Sequence, residues 1–361
     1  MRWIKTKVKR IEDIDKNFKS RGIYENNIVY MDALESPYEI YGLPCIKEER
    51  LYCRLPQSSL KRFSESVQYL AWNTTGARVR FMTDSPFVSI KAEIRTADDM
   101  SHMPRSGMSG FDMYIGSKEN KKFINSIMPE SGVTCFEGIT YTKEKGMKEW
   151  TINFPLYNGI KKLLIGLKEG SNLEKAPAYS IEKPIVFYGS SITHGGCASR
   201  PGNSYPNILS RWLDAGIYNL GFSGSAKGET EMAEYIAGLN MSAFVLDYDH
   251  NAPDISHLSN THERFYKIVR DANKKLPIII ITKPDFDSDI EENKKRREVI
   301  YNTYKNAINS GDDFVYFIDG EKLFGKRDRD SCTVDGCHPN DLGFMRMADT
   351  IFPVLKKALL K

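Results

Sequence analysis

The hydrophobic pattern of this 361-residue chain changes its period near residue 180. Upstream, from about residue 60 to about residue 175, apolar and polar residues alternate, as they do over 87–95 and 150–154. Such alternation predicts strands with one buried face. Downstream of Pro184 the apolar residues form continuous runs such as Ile185–Tyr188, which predict strands buried on both faces. The chain therefore predicts two regions that are built differently.

The first region predicts a β-sandwich and the second an α/β domain. Short alternating segments, separated by turn residues at 84–86, 109–110 and 157–159, are typical of an all-β, jelly-roll-like sandwich. After residue 184, five strand-then-helix units predict a doubly wound parallel sheet. Glycine and proline residues between 170 and 183 mark the boundary. We assign residues 1–176 to the sandwich and residues 177–361 to the α/β domain.

Charge and cysteine content exclude several classes of function. Lys and Arg number 51 against 47 Asp and Glu, a net charge of +4 with the basic residues scattered, so no nucleic-acid partner is expected. No apolar run is long enough for a membrane span, and residues 1–10 lack the apolar core of a secretory signal, which predicts a cytoplasmic protein. Six cysteines without a paired framework predict free thiols, and neither a metal nor a cofactor is expected.

Polar residues and glycines that could take part in catalysis follow the predicted strands of the second region. In a doubly wound sheet, ligands bind beyond the carboxyl ends of the strands, so these residues are expected to converge. They are Ser191 after the first strand, Gly224 after the second, Asn251 after the third, and Asp335 and His338 before the last helix, with Pro339 expected in its first turn.

Taken singly, each of these signals is also typical of an ordinary turn or helix cap. Taken together they predict an acyl-transfer site, in which a serine hydroxyl is activated by an imidazole that a carboxylate orients. Backbone N–H groups of Ser191 and Gly224 and the amide of Asn251 are the expected oxyanion donors. Asp249 and His250 are alternative acid–base residues, for which a role in the loop is the simpler interpretation.

The ordered set resembles the SGNH (GDSL-type) hydrolase superfamily, whose four blocks supply Ser, Gly, Asn and His. The matching segments are Gly189–Thr193, Asn219–Gly224, His250–Asn251 and Asp335–Pro339. The chain departs from the usual pattern at Ser190, where Asp is common, and at Asp249–Ala252, where Gly-x-Asn-Asp is common. In the first region, Gly110–Tyr114 and Leu156–Gly159 resemble the GxDLY-type domain that precedes some bacterial GDSL-like esterases and carbohydrate acetylesterases.

This resemblance implies a serine esterase with Ser191, His338 and Asp335 as its catalytic triad. The leading expectation is removal of short acyl groups, O-acetyl above all, from a small-molecule or oligosaccharide ester. The alternatives are a short-chain lipid or general carboxylesterase and a catalytically silent carbohydrate-binding protein.

Overall fold

The computed structural model describes residue 23 and residues 25–361. The charged segment 1–10 of the predicted first domain lies outside these residues. The strands of the first region are β1 (Ile28–Asp32), β2 (Glu39–Tyr41), β3 (Arg78–Thr83), β4 (Phe87–Ile94), β5 (Phe111–Ile115), β6 (Lys122–Ile127), β7 (Cys135–Tyr141), β8 (Lys148–Asn153), β9 (Ile160–Lys168) and β10 (Leu173–Glu174). Its helices are α1 (Ile46–Glu49), α2 (Glu65–Leu70) and α3 (Arg105–Met108).

These strands form two antiparallel sheets that face each other. One has the order β1-β9-β4-β7, and the other has the order β10-β3-β8-β5-β6 with β2 beside β3. Inward side chains of both sheets, including Phe81, Ile90, Trp150 and Ile165, share one hydrophobic core and are fully buried. The alternating pattern thus places every second residue in a common core, and the predicted sandwich is confirmed.

The second region contains the strands β11 (Ile181–Gly189), β12 (Ala215–Gly221), β13 (Ala243–Asp247), β14 (Ile278–Ile281) and β15 (Val315–Ile318). Its helices are α4 (Ser191–His194), α5 (Tyr205–Leu213), α6 (Thr230–Ala237), α7 (Ile255–Ala272), α8 (Ile290–Asn309) and α9 (Asp341–Leu359). The five strands are parallel in the order β12-β11-β13-β14-β15.

Consecutive residues of these strands enter different cores. Val186 and Tyr188 pack with α6, α7 and α8 on one face, whereas Ile185 and Phe187 pack with α5 and α9 on the other. A strand with helices on both faces must be apolar at every position, which explains the continuous runs in the sequence. The prediction of a doubly wound α/β domain is confirmed. None of the helices in the described part of the chain combines the length and apolar character needed to cross a membrane.

The order of the strands in the parallel sheet determines where a crevice can open. The strand order reverses at β11, because the chain passes from β11 to β12 on one side and then to β13 on the other, and crevices open at such switch points. The sandwich reaches this crevice through Arg54, a fully buried side chain whose Nη1 donates to the carbonyls of Asn219 and Gly221 at 2.7 Å each. Arg54 therefore ties the first region to the end of β12.

The start of α9 differs from the prediction at Pro339. Pro339 precedes the helix and forms an isolated bridge with Thr333, while Asn340 is the N-cap and accepts from the N–H groups of Leu342 and Gly343. An asparagine side chain can satisfy two free N–H groups at once, so Asn340 rather than the proline defines where α9 begins.

Candidate active site

The serine expected to be the nucleophile lies at the junction of β11 and α4. Ser190 is the N-cap of α4, and its hydroxyl accepts from the N–H of Ile192 at 3.1 Å. Gly189 ends β11 where a Cβ would lie 2.1 Å from Thr193 Oγ1 and 2.5 Å from the Asp247 carbonyl, so only glycine fits there. This close packing presents Ser191 at the first helical position with 5% of its surface exposed.

Ser191, His338 and Asp335 lie in hydrogen-bonding order. Ser191 Oγ is 3.0 Å from His338 Nε2, and His338 Nδ1 is 2.7 Å from Asp335 Oδ2. The other carboxylate oxygen of Asp335 accepts from the backbone N–H of His338 at 2.7 Å and from that of Cys337 at 3.0 Å. The carboxylate thus fixes both the ring and the backbone of the histidine, and the ring can accept a proton from the serine.

Asp335, His338 and Cys337 influence one another's ionisation. Burial opposes ionisation of Asp335, but hydrogen bonds from the ring and N–H of His338 and from the N–H of Cys337 hold its pKa at about 2. The Cys337 thiol raises the pKa of His338 to about 9, assisted by Asp335 and opposed by partial burial. The imidazole therefore holds a proton firmly, because Cys337 and Asp335 both favour its charged form.

The expected oxyanion donors lie around the exits of β12 and β13. Gly224 has a φ of +67°, and a Cβ on it would meet nothing within 4 Å, so the space beside its Cα is open. Among the described residues, the N–H groups of Ser191 and Gly224 have no hydrogen-bond acceptor. Asn251 donates through Nδ2 to the Phe222 carbonyl at 3.0 Å, and an amide nitrogen carries a second hydrogen.

A buried polar network stabilises α4. Asp247, at the end of β13, accepts from Thr193 Oγ1 at 2.9 Å and from Tyr205 Oη at 2.7 Å. Burial raises the pKa of Asp247 to about 7, although both hydroxyls oppose this rise. Asn219 links β12 to the same helix, since its Nδ2 donates to the Thr193 carbonyl at 2.7 Å. These contacts give the Asn219 and Thr193 positions of the sequence blocks a supporting role.

A loop of the sandwich contacts Ser191 and its helix directly. Tyr157 donates through its hydroxyl to the Ser191 carbonyl at 3.3 Å, and its ring stacks on His194 with centroids 4.1 Å apart. His194 Nε2 is 2.7 Å from the Leu156 carbonyl, and burial holds the pKa of this histidine well below its usual value. His194 is therefore a neutral packing residue. Tyr157 was not among the residues predicted for the site, although its Leu156–Gly159 segment was noted for its resemblance.

A histidine of the sandwich region, His102, lies near the carboxylate of Asp335. His102 Nε2 lies 3.7 Å from Asp335 Oδ2, and its ring centroid is 6.4 Å from that of His338. Its side chain is 51% exposed. The sequence carried no signal for His102, because it stands in a loop without a motif and is about 230 residues away from Asp335 along the chain.

The alternative acid–base residues, Asp249 and His250, have separate partners. Asp249 is buried against Arg296, with its Oδ1 accepting from Nε at 2.9 Å, and therefore has a structural role. His250 lies between Cys337, at 3.1 Å from Sγ to Nε2, and Asp285, at 3.4 Å from Nδ1 to Oδ1. Two groups within the described residues bring three metal-ligating atoms within 4.8 Å of one another, and both involve the 335–338 loop: His102 with Asp335 and His338, and His250 with Asp285 and Cys337. In the first, Asp335 and His338 are already paired with each other.

Solved structures resemble this chain over most of its length. A protein described as a GDSL-like lipase from Bacteroides ovatus is 29% identical, with a TM-score of 0.83 over 92% of this chain and 98% of the other. The salicylyl-acyltransferase of a tetracycline biosynthetic pathway is 17% identical, with a TM-score of 0.77 over the same shares. An acetyl xylan esterase from the rumen bacterium Butyrivibrio proteoclasticus is 15% identical, with a TM-score of 0.59 over 92% of this chain and 99% of that one. The last two show likeness of fold alone.

Family models account for both regions. No curated protein sequence matches the chain. Residues 28–173 match the N-terminal domain of SGNH-hydrolase-type esterases known as GxDLY, and residues 182–356 match the GDSL-like lipase/acylhydrolase family. The serine, glycine, asparagine and histidine blocks also lie together at one edge of the parallel sheet. The chain therefore belongs to the SGNH (GDSL-type) hydrolases and is an esterase with a GxDLY-type sandwich at its amino-terminal side.

Proposed function

We propose that the chain removes short acyl groups, O-acetyl above all, from carbohydrate, with Ser191 as nucleophile, His338 as base and Asp335 as the group that orients His338. The observation that carries this proposal is the continuous relay of 3.0 Å and 2.7 Å from Ser191 Oγ through His338 to Asp335. A nucleophile and base at these distances meet the geometric requirement for acyl transfer.

The reaction follows from this geometry. Ser191 Oγ attacks the ester carbonyl while His338 Nε2 takes the hydroxyl proton, and Asp335 stabilises the resulting imidazolium. The negative charge on the carbonyl oxygen is stabilised by the N–H groups of Ser191 and Gly224 and the amide of Asn251. Collapse of this intermediate breaks the ester bond, and His338 gives its proton to the departing alkoxide. Water, activated by the same imidazole, then hydrolyses the acyl-serine and regenerates the hydroxyl.

Crowding around Ser191 supports a short acyl group. The serine is 95% buried, since only 5% of its surface is exposed. Gly196 is packed so closely that a Cβ there would lie 2.9 Å from Tyr157 Oη, 3.1 Å from the Ser191 carbonyl and 3.3 Å from His338 Cδ2. A site with so little space around the serine favours an acetyl group over a long acyl chain.

Polar surroundings support a hydroxylated alcohol part. Asp335 is part of the lining of an open cleft of about 440 Å³. Its lining combines carboxylates and hydroxyls with one arginine and two apolar side chains: Asp285, Asp287, Ser288, Phe324, Arg329, Asp330, Thr333, Val334, Asp335 and Gly336. Carboxylate and hydroxyl oxygens of this lining can accept hydrogen bonds from sugar hydroxyls. The fold shared with an acetyl xylan esterase is consistent with this proposal.

The experiment compares acetate release from acetylated oligosaccharides with hydrolysis of 4-nitrophenyl acetate and of short-chain lipid esters. We expect the highest kcat/KM on one class of acetylated oligosaccharide, and loss of activity on all substrates in Ser191→Ala. Preference for lipid esters would instead support the general carboxylesterase. Binding of oligosaccharide without turnover of any ester would contradict the proposal and support a silent binding protein.

A further inference from the structure

A cysteine occupies the residue before the histidine of the triad, and it has a histidine and aspartate of its own. Cys337 Sγ lies 3.1 Å from His250 Nε2, and His250 Nδ1 lies 3.4 Å from Asp285 Oδ1. Asp285 is 7% exposed, and within the described residues neither its Oδ1 nor His250 Nδ1 has a hydrogen-bond partner, so the contact between them is that of a buried ion pair. The other oxygen, Oδ2, is 3.4 Å from Lys283 Nζ and 3.3 Å from Ser288 Oγ.

This arrangement favours a thiolate beside an imidazolium. Burial opposes ionisation of Cys337, but His250 and His338 outweigh it and lower the pKa of the thiol to about 7. Burial likewise opposes protonation of His250, but Asp285 and Cys337 raise its pKa to about 10. At neutral pH a large share of Cys337 is therefore the nucleophilic thiolate, and His250 carries the balancing positive charge.

Cys337 differs from Ser191 in what surrounds the nucleophilic atom. The backbone N–H groups of Cys337 and His338 both donate to Asp335 Oδ1, and that of Gly336 donates to Thr333 Oγ1 at 3.1 Å. None of them is free to stabilise an oxyanion, so the surroundings do not favour acyl transfer to this thiol. Exchange with a disulfide forms no oxyanion and needs only a thiolate with access to a sulfur.

Exposure separates Cys337, Cys45 and Cys135 from the other three cysteines, and contact with an imidazole separates Cys337 from those two. Cys53, Cys197 and Cys332 are buried, whereas Cys337 and Cys45 are partly exposed and Cys135 is exposed. Among the six, Cys337 is the one whose sulfur contacts an imidazole nitrogen in the described part of the chain. Its backbone is held between two bonds to Asp335, so the loop cannot move away from an added group without disturbing His338.

We propose that Cys337 is a modification site that undergoes exchange with small-molecule disulfides, and that a bulky adduct there closes the esterase site. In this step the Cys337 thiolate attacks one sulfur of the disulfide R–S–S–R. A new S–S bond joins Cys337 to one R–S group, the original S–S bond breaks, and the second R–S group leaves as a thiolate. Excess free thiol reverses the exchange, so no net oxidant is consumed beyond the disulfide itself.

The test treats the native full-length protein with the aromatic disulfide 5,5′-dithiobis(2-nitrobenzoate) at neutral pH. The coloured thiolate that is released counts the reacted cysteines, and peptide mass spectrometry identifies them. We expect one fast equivalent on Cys337, a parallel loss of activity on 4-nitrophenyl acetate, and recovery with dithiothreitol. Cys337→Ser should stay active and keep its activity under the same treatment, while Cys135→Ser should behave as wild type.

A second variant tests the imidazole. In His250→Gln we expect fast labelling to slow by roughly 3-fold, because the thiolate fraction falls from about half to a few per cent while each thiolate becomes more nucleophilic. The proposal would be overturned if Cys135 reacted first. It would also be overturned if the same treatment reduced the activity of Cys337→Ser as much as that of the wild type. Complete labelling of Cys337 with unchanged turnover would overturn it as well. The labelling result does not depend on the proposed carbohydrate substrate, and the activity result depends only on esterase turnover.

Discussion

Two nucleophile–histidine–aspartate relays meet at residues 335–338, and they differ in their surroundings. Ser191 lies at a helix start beside N–H groups of its own and of Gly224 that have no acceptor within the described residues. Around Cys337 the corresponding N–H groups are already bonded to Asp335. The order of side chains alone therefore does not define an acyl-transfer site. The free donors that will hold the oxyanion define it.

The largest expected effect separates the two nucleophiles. Ser191→Ala removes the attacking oxygen, so kcat on 4-nitrophenyl acetate should fall about 10³-fold or more. Cys337→Ser should not lose activity, because it leaves the contacts between Ser191, His338 and Asp335 intact. Turnover of both variants is measured beside that of Ser190→Ala, a matched serine whose hydroxyl faces the helix N–H of Ile192. If Cys337→Ser lost as much activity as Ser191→Ala, the two relays would have to be one.

The next prediction concerns Asn251 as a hydrogen-bond donor to the oxyanion. Asn251→Ala removes an amide from the expected oxyanion site and should lower kcat about 10²-fold with little change in KM, because the missing bond forms only in the transition state. Asn125→Ala, which removes an asparagine bonded to Thr140 on the sandwich, is the matched control and should behave as wild type. A rise in KM at constant kcat would instead place Asn251 in substrate binding.

The sequence predicted the first relay because each of its parts follows a rule of the fold. Parallel strands end at one edge of the sheet, so a serine after β11 and an Asp-x-x-His segment before α9 could be assigned to one place without any distance. The supporting contacts were harder to foresee. Thr193 and Asp247 meet only because the pairing of β11 with β13 places Gly189 opposite Asp247.

The second relay could not be predicted from the sequence. His250 was named there as an alternative acid–base residue with a loop role as the simpler interpretation, and Cys337 was one of six dispersed thiols. Contact between residues 87 positions apart leaves no periodic trace in the sequence. The same holds for Tyr157 and His102, which reach the site from the sandwich. Alternation predicts which face of a strand is buried, but the loops that cross to another domain follow from packing of the whole chain.

Coupling between the relays predicts the pH dependence. His338 must be deprotonated to accept the serine proton, and its pKa is raised to about 9, so kcat/KM should rise with pH and level off above about pH 9. Cys337 is the largest cause of that rise, so Cys337→Ser should shift the limb to lower pH. Each pKa unit lost increases activity at neutral pH about tenfold.

The measurement is kcat/KM on 4-nitrophenyl acetate across pH for the wild type and Cys337→Ser, with Cys135→Ser as control. Asp335 and His102 also face His338, and both are unchanged in these variants. Identical profiles for all three proteins would show that the two relays titrate independently.

The carboxylates of Asp335 and Asp285 also differ in their surroundings, and only a small change in activity is expected from altering their neighbours. Asp335 is approached by the half-exposed His102 at 3.7 Å, whereas Asp285 is buried beside Lys283. Solvent screens exposed pairs, so His102→Gln should lower kcat/KM only about twofold, and the difference should vanish at high salt. Lys283→Gln should leave turnover unchanged and alter the labelling rate of Cys337 instead. A loss above about tenfold in His102→Gln that persists at high salt would mean that the sandwich acts on the substrate itself.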